Sequence, residues 1–295
     1  MNPRTSYLLA SSWKALRGRG TTCPSCGSES SSLVQRKYLV TTLRRCDRCR
    51  LQFRAPTTAA DESARMYQHA YRQGFTTDCP GDDELKRLTD VGFRQSVRDY
   101  GTYLDVLGAA GARAGQRLFE FGCSWGYGSW QFVHRSGLDV EAYEISAPRA
   151  DYARRKLGVQ VHASLDAVRA GFDVFFSSHV LEHVPSVRAS VQFGMSVLKP
   201  GGLFVAFVPN GSSSYRAADP GAWRRSWGAV HPQLIDPEAL QHLFAPWRHV
   251  LASDPYDLGA IEAWRGGGAA APQASVIGKL DGPELALLAV KPAQG

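Results

Sequence analysis

The 295-residue chain lacks any uninterrupted run of ~18 apolar residues, which excludes an evident membrane-spanning helix. Its opening, MNPRTSYLLASSWKAL, has no long apolar segment after a basic one, so no secretory leader is expected and a cytoplasmic location is. No internal repeat is visible. Acidic residues are in deficit, 27 against 34 Lys and Arg, giving a formal net charge of +7. Much of the excess sits in RKYLVTTLRRCDRCRLQFR, residues 36–54, which reads first as a solvated basic face and second as an anion site. Such a surface suits a nucleotide sugar, a lipid-linked or acidic glycan, or nucleic acid. The six cysteines read as ligands or core thiols rather than disulfides. What is present, 44% hydrophobic and 21% charged residues, suffices for a sizeable core in one large domain, with or without a small appendage.

Four cysteines form a pattern. Cys23-Pro-Ser-Cys26 and Cys46-Asp-Arg-Cys49 give C-x2-C, nineteen intervening residues and C-x2-C, with the hairpin-length LVQRKYLVTTL between them. This spacing brings four thiolates into a tetrahedron around zinc. Four sulfurs leave the metal no open position, so the expected role is folding and docking rather than chemistry. Cys79 and Cys123 stand apart and read as packing thiols.

From residue 117 short β-like runs alternate with helical segments: RLFEFG, DVEAYEIS, VQVHAS, FDVFFSS and GGLFVAFVPN, with helices expected from Tyr127, Pro148 and Pro185. This alternation implies a doubly wound, mostly parallel α/β sheet. HVLASDP (249–255) and ELALLAVKP (284–292) add two strands, seven in all, with RGGGAAAPQA in the loop between them. Upstream, Phe93, Val97, Tyr100, Leu104 and Leu107 recur at three or four and predict one amphipathic helix.

The stretch EFGCSWGYG, 120–128, places a carboxylate at the end of the first of these strands, just before a glycine turn. In dinucleotide enzymes such a turn cradles a diphosphate, which Glu120 would repel. The pattern instead suits a ligand carrying positive charge, such as the ammonium and sulfonium of S-adenosylmethionine. Glu144, 24 residues on at the end of the second strand, is placed to accept hydrogen bonds from ribose hydroxyls.

EFGCSWG, EAYEIS, FDVFFSSHVLEHV and LKPGGLFVAFVPN resemble successive motifs of class I S-adenosylmethionine-dependent methyltransferases over roughly residues 90–292. Ser124 occupies the family's middle glycine position. With the cysteine-rich start and YRQGFTTD (71–78), the chain also resembles bacterial polysaccharide and natural-product sugar methyltransferases. The resemblance implies a Rossmann-like methyltransferase sheet with a small zinc-ribbon module. Residues 1–56 would form the module, 57–90 a linker and cofactor-covering segment that includes Tyr71 and Phe75, and 91–295 the cofactor-binding domain. Carried over by position, Glu120, Gly122, Ser124 and Gly126 surround the methionine end of the cofactor, together with Cys123 in the same turn. Glu144 holds the ribose, Ala163, Ser164 and Leu165 form the adenine rim, and Ile145 and Ser178 are further cofactor contacts. His179 lies near the transferred methyl.

His179-Val-Leu-Glu182-His183 also matches H-x-x-E-H, which on a helix holds zinc in some proteases. A strand ending before His179 and Pro185 just after His183 argue against that helix, leaving His183 as a loop support. His231, in WGAVHPQLIDPEALQHLF, resembles the base of some sugar methyltransferases and competes with His179 for that role. The leading expectation is methyl transfer from S-adenosylmethionine to a hydroxyl of a sugar, glycan or small-molecule acceptor, anionic ones included, with structural zinc and no catalytic metal required. The alternatives are ribosomal RNA base methylation, with nucleic acid the less favoured partner, and a non-catalytic cofactor-binding assembly protein.

Overall fold

The computed structural model describes residues 12–13, 20–37, 40–57, 78–228, 231–267 and 272–293. Tyr71, Phe75 and most of the expected cofactor-covering segment lie outside the described residues. The central sheet has the order β11-β10-β12-β8-β7-β4-β5-β6. Its members are β4 (Arg117–Phe121), β5 (Asp139–Tyr143), β6 (Gln160–His162), β7 (Phe172–Ser178), β8 (Leu198–Pro209), β10 (Arg248–Ser253), β11 (Ala274–Val276) and β12 (Glu284–Val290). Only β12 runs against its neighbours, antiparallel to both β8 and β10. The expected α/β sheet is present, and a short edge strand, β11, extends the expected seven to eight among the described residues.

Period-two alternation fixes which side chains enter which layer. Along β4, Phe119 and Phe121 join one buried cluster with Phe175 and Phe204, while Leu118 joins the other with Phe176 and Phe207. The helices start and stop where local chemistry permits. After α1 (Asp82–Asp90) and α2 (Gly101–Ala109), α3 (Tyr127–Ser136) begins behind Gly126, and α4 (Ala147–Leu157) has Ser146 at its N-cap position and proline in its first turn. Both α3 and α4 end on left-handed glycines, Gly137 and Gly158. Before α5 (Val187–Val197), the Ser186 hydroxyl accepts the Ala189 N–H.

The single helix expected across residues 93–107 is broken. Phe93 and Gln95 have positive φ, residues 91–98 form turns, and helix α2 begins only at Gly101. Phe93 is fully buried against Trp125 and Trp130, whereas Val97 is 74% exposed. Aromatic packing therefore overrides the three-to-four spacing that suggested a continuous helix.

A second sheet, β1 (Ser31–Lys37), β2 (Thr41–Cys46), β3 (Gln52–Ala55) and β9 (Gln233–Leu234), is antiparallel throughout. Its last strand comes from the loop after β8, so the cysteine-bearing segment and the later chain share one sheet. The basic run between residues 36 and 54 serves this joint. Arg45 pairs with Asp236 at 2.6 Å and with Glu238 at 2.8 Å, and Arg50 pairs with Glu238 at 2.6 Å. Gln52 donates to Asp236 and to the Gly211 carbonyl, and the Lys37 ammonium donates to the Arg224 and Trp227 carbonyls. Desolvation, reinforced by nearby Arg224, lowers Lys37 to about 8. These contacts consume charges that the sequence offered to solvent or to an anion. Asp236 also accepts the Ala239 N–H and so caps α8 (Pro237–Phe244), as its Asp-Pro-Glu start predicts; α6 (Ser213–Ala218) and α7 (Pro220–Arg225) precede it, and α9 (Leu258–Gly266) follows β10.

Candidate active site

The glycine turn after β4 is left-handed at three points, Gly122 (φ +87°), Ser124 (φ +52°) and Gly126 (φ +90°). Holding a serine in this region costs roughly 1–2 kcal/mol, and a backbone bond offsets part of it: the Ser124 N–H donates to a Glu144 carboxylate oxygen at 2.9 Å. The other Glu144 oxygen accepts the Ser146 N–H at 2.8 Å. Burial raises the Glu144 pKa, and these two N–H bonds and Arg149 oppose the rise. Each oxygen keeps a second lone pair for a hydroxyl donor. Ile145, beside Glu144, is 37% exposed, an apolar surface at the strand end. Ser164 caps a short 3-10 turn over Leu165–Ala167, with Leu165 half-buried, and Ser178 is the last residue of β7. The Cys123 thiol packs among Ala142, Ala150 and Ala153, leaving its backbone in the turn, whereas Cys79 is exposed and is not the packing thiol expected.

Glu120 is 1% exposed and accepts the Ser129 hydroxyl of α3. Burial pushes its carboxyl up to about 8; the Ser129 hydroxyl and N–H oppose this, and the Glu144 charge adds to it. The third glycine, Gly128, has a packing role: a Cβ there would lie 2.3 Å from the Tyr100 ring and 2.5 Å from Glu120 Oε1.

The loop after β7 lies against the turn. A Cβ on Gly122 would fall 2.4 Å from a Val180 methyl. His179, itself left-handed at φ +53°, sets its Nε2 2.5 Å from Glu284 Oε2 and its Nδ1 3.5 Å from Glu182 Oε1. Burial alone would lower the His179 pKa, but the two carboxylates push it up to about 10, a pull that water reaching its 46% exposed side chain screens. Glu284 also accepts the Tyr103 hydroxyl at 2.8 Å and the Tyr256 hydroxyl at 2.6 Å. Sequence reasoning missed this carboxylate. It opens an antiparallel strand in register with Pro209, so it stands at the same sheet edge as the ends of the parallel strands. Reading 284–292 for strand direction would have pointed to it.

Residues 181–185 are turns, so the helix-borne protease motif is absent, as its flanks predict. Glu182 and His183 meet His231 instead. The His183 and His231 rings lie 4.5 Å apart and nearly perpendicular, and ligand atoms of Glu182, His183 and His231 all fall within 4.8 Å of one another. His231 Nδ1 is 3.0 Å from the Ser226 carbonyl; because a carbonyl only accepts, Nδ1 carries the hydrogen and Nε2 the lone pair. Glu182 is 1% exposed, and neither of its oxygens has a hydrogen-bond partner among the described residues. Burial would raise its pKa, but the surrounding histidines, His179 foremost, push it down to about 2. The β9 strand pins this cluster, with Gln233 N–H donating to the Glu182 carbonyl at 3.3 Å and the Gln233 side chain to the Val184 carbonyl.

Cys23, Cys26, Cys46 and Cys49 form a separate cluster with all four sulfurs within 4.8 Å of one another. Cys23–Cys49 and Cys26–Cys46 are each 3.5 Å apart, too long for disulfides and near the ~3.8 Å edge of a zinc–thiolate tetrahedron.

A protein family described as a methyltransferase domain matches residues 93–246, which span the glycine turn, Glu144, the His179–His183 loop and His231. The chain belongs to that family. It is an S-adenosylmethionine-dependent methyltransferase. It is similar to the ubiquinone biosynthesis O-methyltransferase of Xanthomonas axonopodis pv. citri (strain 306), with 29% identity over 182 residues, 50% of this chain and 74% of the relative. The protein of the same name from Xylella fastidiosa (strain 9a5c) is 30% identical over 182 residues, 50% of this chain and 72% of that one. Among solved structures, geranyl diphosphate C-methyltransferase from Streptomyces coelicolor A3(2) aligns with a TM-score of 0.47 and 17% identity, covering 79% of this chain and 98% of that one. By name, the two curated relatives act in ubiquinone biosynthesis, so they lend no support to the expected saccharide acceptor.

The residues of this methyltransferase's turn fit the cofactor: a left-handed turn at a strand end, a neighbouring carboxylate with lone pairs to spare, and an exposed apolar side chain beside it. Glu120 supplies a measurable consequence. Its folded pKa is raised, so below about 4.5 both folded and unfolded chains hold the proton; between there and about 8 the unfolded chain loses it while the folded chain keeps it. Stability from this group is therefore present at low pH and lost as pH rises toward 8. We expect the melting temperature of the cofactor-free protein to fall by a few degrees more between pH 5 and 8 than that of Glu120→Gln, read by calorimetry. Equal slopes in the two proteins would refute the assignment.

Proposed function

We propose that this methyltransferase transfers the methyl group to a hydroxyl oxygen of a polar small molecule, in a cytoplasmic setting, with Glu120, Gly122, the Cys123 backbone, Ser124 and Gly126 around the methionine end of the cofactor. Glu144 and Ile145 take the ribose side, Ser164 and Leu165 the adenine, and Ser178 closes the strand end. The observation that carries this reading is the contact between Gly122 and Val180, which sets the loop bearing His179, Glu182 and His183 directly against the turn. Ligands of open α/β sheets bind outside the carboxyl ends of the strands, where this loop and His231 both lie.

S-adenosylmethionine supplies an activated methyl on a sulfonium. The protein's part is to hold acceptor oxygen, methyl carbon and sulfur in line and to accept the hydroxyl proton. His231 suits the second task, since Nδ1 is committed to Ser226 and Nε2 presents a lone pair. His179 suits it less, because both of its ring nitrogens face carboxylates. The names of the curated relatives support oxygen as the methylated atom. The acceptor class stands between a sugar or glycan hydroxyl, from the sequence resemblance, and an aromatic or quinone-type hydroxyl, from those names. The RNA reading loses its main support, because several of the basic residues between 36 and 54 are engaged in tying the cysteine-bearing sheet to the segment from Trp227 to Glu238. The four cysteines hold one structural zinc in this reading.

The test is incubation with methyl-labelled S-adenosylmethionine and cell extract fractionated into saccharides, lipid-soluble phenols and RNA. We expect label as an oxygen-bound methyl in one of the first two fractions. Label confined to RNA, or cofactor binding with no alkylated product in any fraction, would overturn the reading.

A further inference from the structure

We propose that Glu182, His183 and His231 bind one divalent transition-metal ion at the carboxyl edge of the sheet, separate from the four-cysteine cluster. Their ligand atoms lie within 4.8 Å of one another, a span that one ion can bridge with bonds of about 2.0–2.2 Å after small rotations of the rings. Two independent features point to a ligand there. Glu182 is 1% exposed and neither carboxylate oxygen has a hydrogen-bond partner among the described residues; the imidazoles that pair with it, His179 Nδ1 at 3.5 Å and His183 Nε2 at 3.7 Å, both approach Oε1 at long range, so this buried carboxylate is only loosely paired and has lone pairs to give to a metal. His231 donates its Nδ1 hydrogen to the Ser226 carbonyl, the outer bond that ligating imidazoles use to fix tautomer and ring orientation.

Two imidazoles and one carboxylate suit Mn2+, Fe2+ or Zn2+, and three protein ligands leave at least one coordination position open. The four-cysteine cluster, by contrast, has a full set of soft ligands and no open position. The site rests on the reading of this edge as the acceptor site and changes one part of it. With the ion bound, the His231 Nε2 lone pair holds the metal. An acceptor hydroxyl in the open position is acidified by coordination and gives its proton to solvent water.

The test uses the full-length protein carrying one zinc per chain, dialysed free of any further zinc so that none competes for the second site, and titrated with Mn2+, following loss of the free-ion electron paramagnetic resonance signal. We expect one Mn2+ bound per chain, with Glu182→Gln and His231→Gln each weakening it by about tenfold or more while S-adenosylmethionine affinity stays within about twofold. The preserved cofactor affinity shows that both variants fold. No Mn2+ uptake by the wild-type protein, or equal uptake by both variants, overturns the proposal. Uptake with the expected variant pattern but no labelled product in any extract fraction supports the ion site and removes the methyl-transfer reading it was joined to.

Discussion

Cys46→Ser is expected to leave the protein without zinc and to unfold the sheet formed by β1, β2 and β3. Cys46 is fully buried, and the three strands total only 17 residues, too few to supply a self-sufficient core. Zinc binding by four thiolates is worth roughly 10–16 kcal/mol at neutral pH in small peptides, largely as folding free energy; here the burial of Leu51, Phe53 and Ala55 in the main core retains part of the fold, so the net loss is smaller. The damage should spread. β9 is registered to β3 through only two residue pairs, Gln52–Leu234 and Phe53–Gln233, and Gln233 is the residue that pins the Glu182–Val184 backbone. Loss of the metal therefore releases the segment that carries His231. Metal analysis and calorimetry should show no zinc and a melting temperature lower by ten degrees or more, or aggregation, on the order of several kcal/mol lost. A zinc-free variant that melts like the wild type would show that the cysteines do not hold a folding metal.

His231→Gln should reduce turnover by about 10²–10⁴-fold, or ~3–5 kcal/mol of transition-state stabilisation, with S-adenosylmethionine affinity almost unchanged. Glutamine can keep a bond to the Ser226 carbonyl but has no basic lone pair to offer either a proton or an ion. His179→Gln should cost less, about tenfold, because His179 binds two carboxylates and removing it leaves the Tyr103 and Tyr256 hydroxyls on Glu284. Single-turnover rates with each variant would decide. If His231→Gln turns over normally while His179→Gln is dead, the assignment is reversed.

The order of strands and helices from residue 117 onward was legible in the sequence because each unit is specified locally. Apolar runs such as FDVFFSS, left-handed glycines after α3 and α4, and caps at Ser186 and Asp236 lie within a few residues of what they determine. The cysteine spacing and the turn at EFGCSWG were legible for the same reason. The region 91–100 was not, since Phe93 buries against Trp125 and Trp130, which lie some thirty residues on, while Val97, in the same three-to-four pattern, faces solvent.

Nor did the sequence by itself determine the chemistry at the sheet edge. His179, Glu182 and His183 are adjacent in the chain, but what they can do depends on groups 48–105 residues away: His231, carried there by a strand that pairs with the cysteine-bearing sheet, and Glu284, placed by a strand of opposite direction. Local sequence fixed the motifs, because backbone conformation and burial pattern answer to near neighbours. Tertiary structure decided their partners, because only packing of distant segments could set a buried carboxylate between imidazoles and leave it without a hydrogen bond.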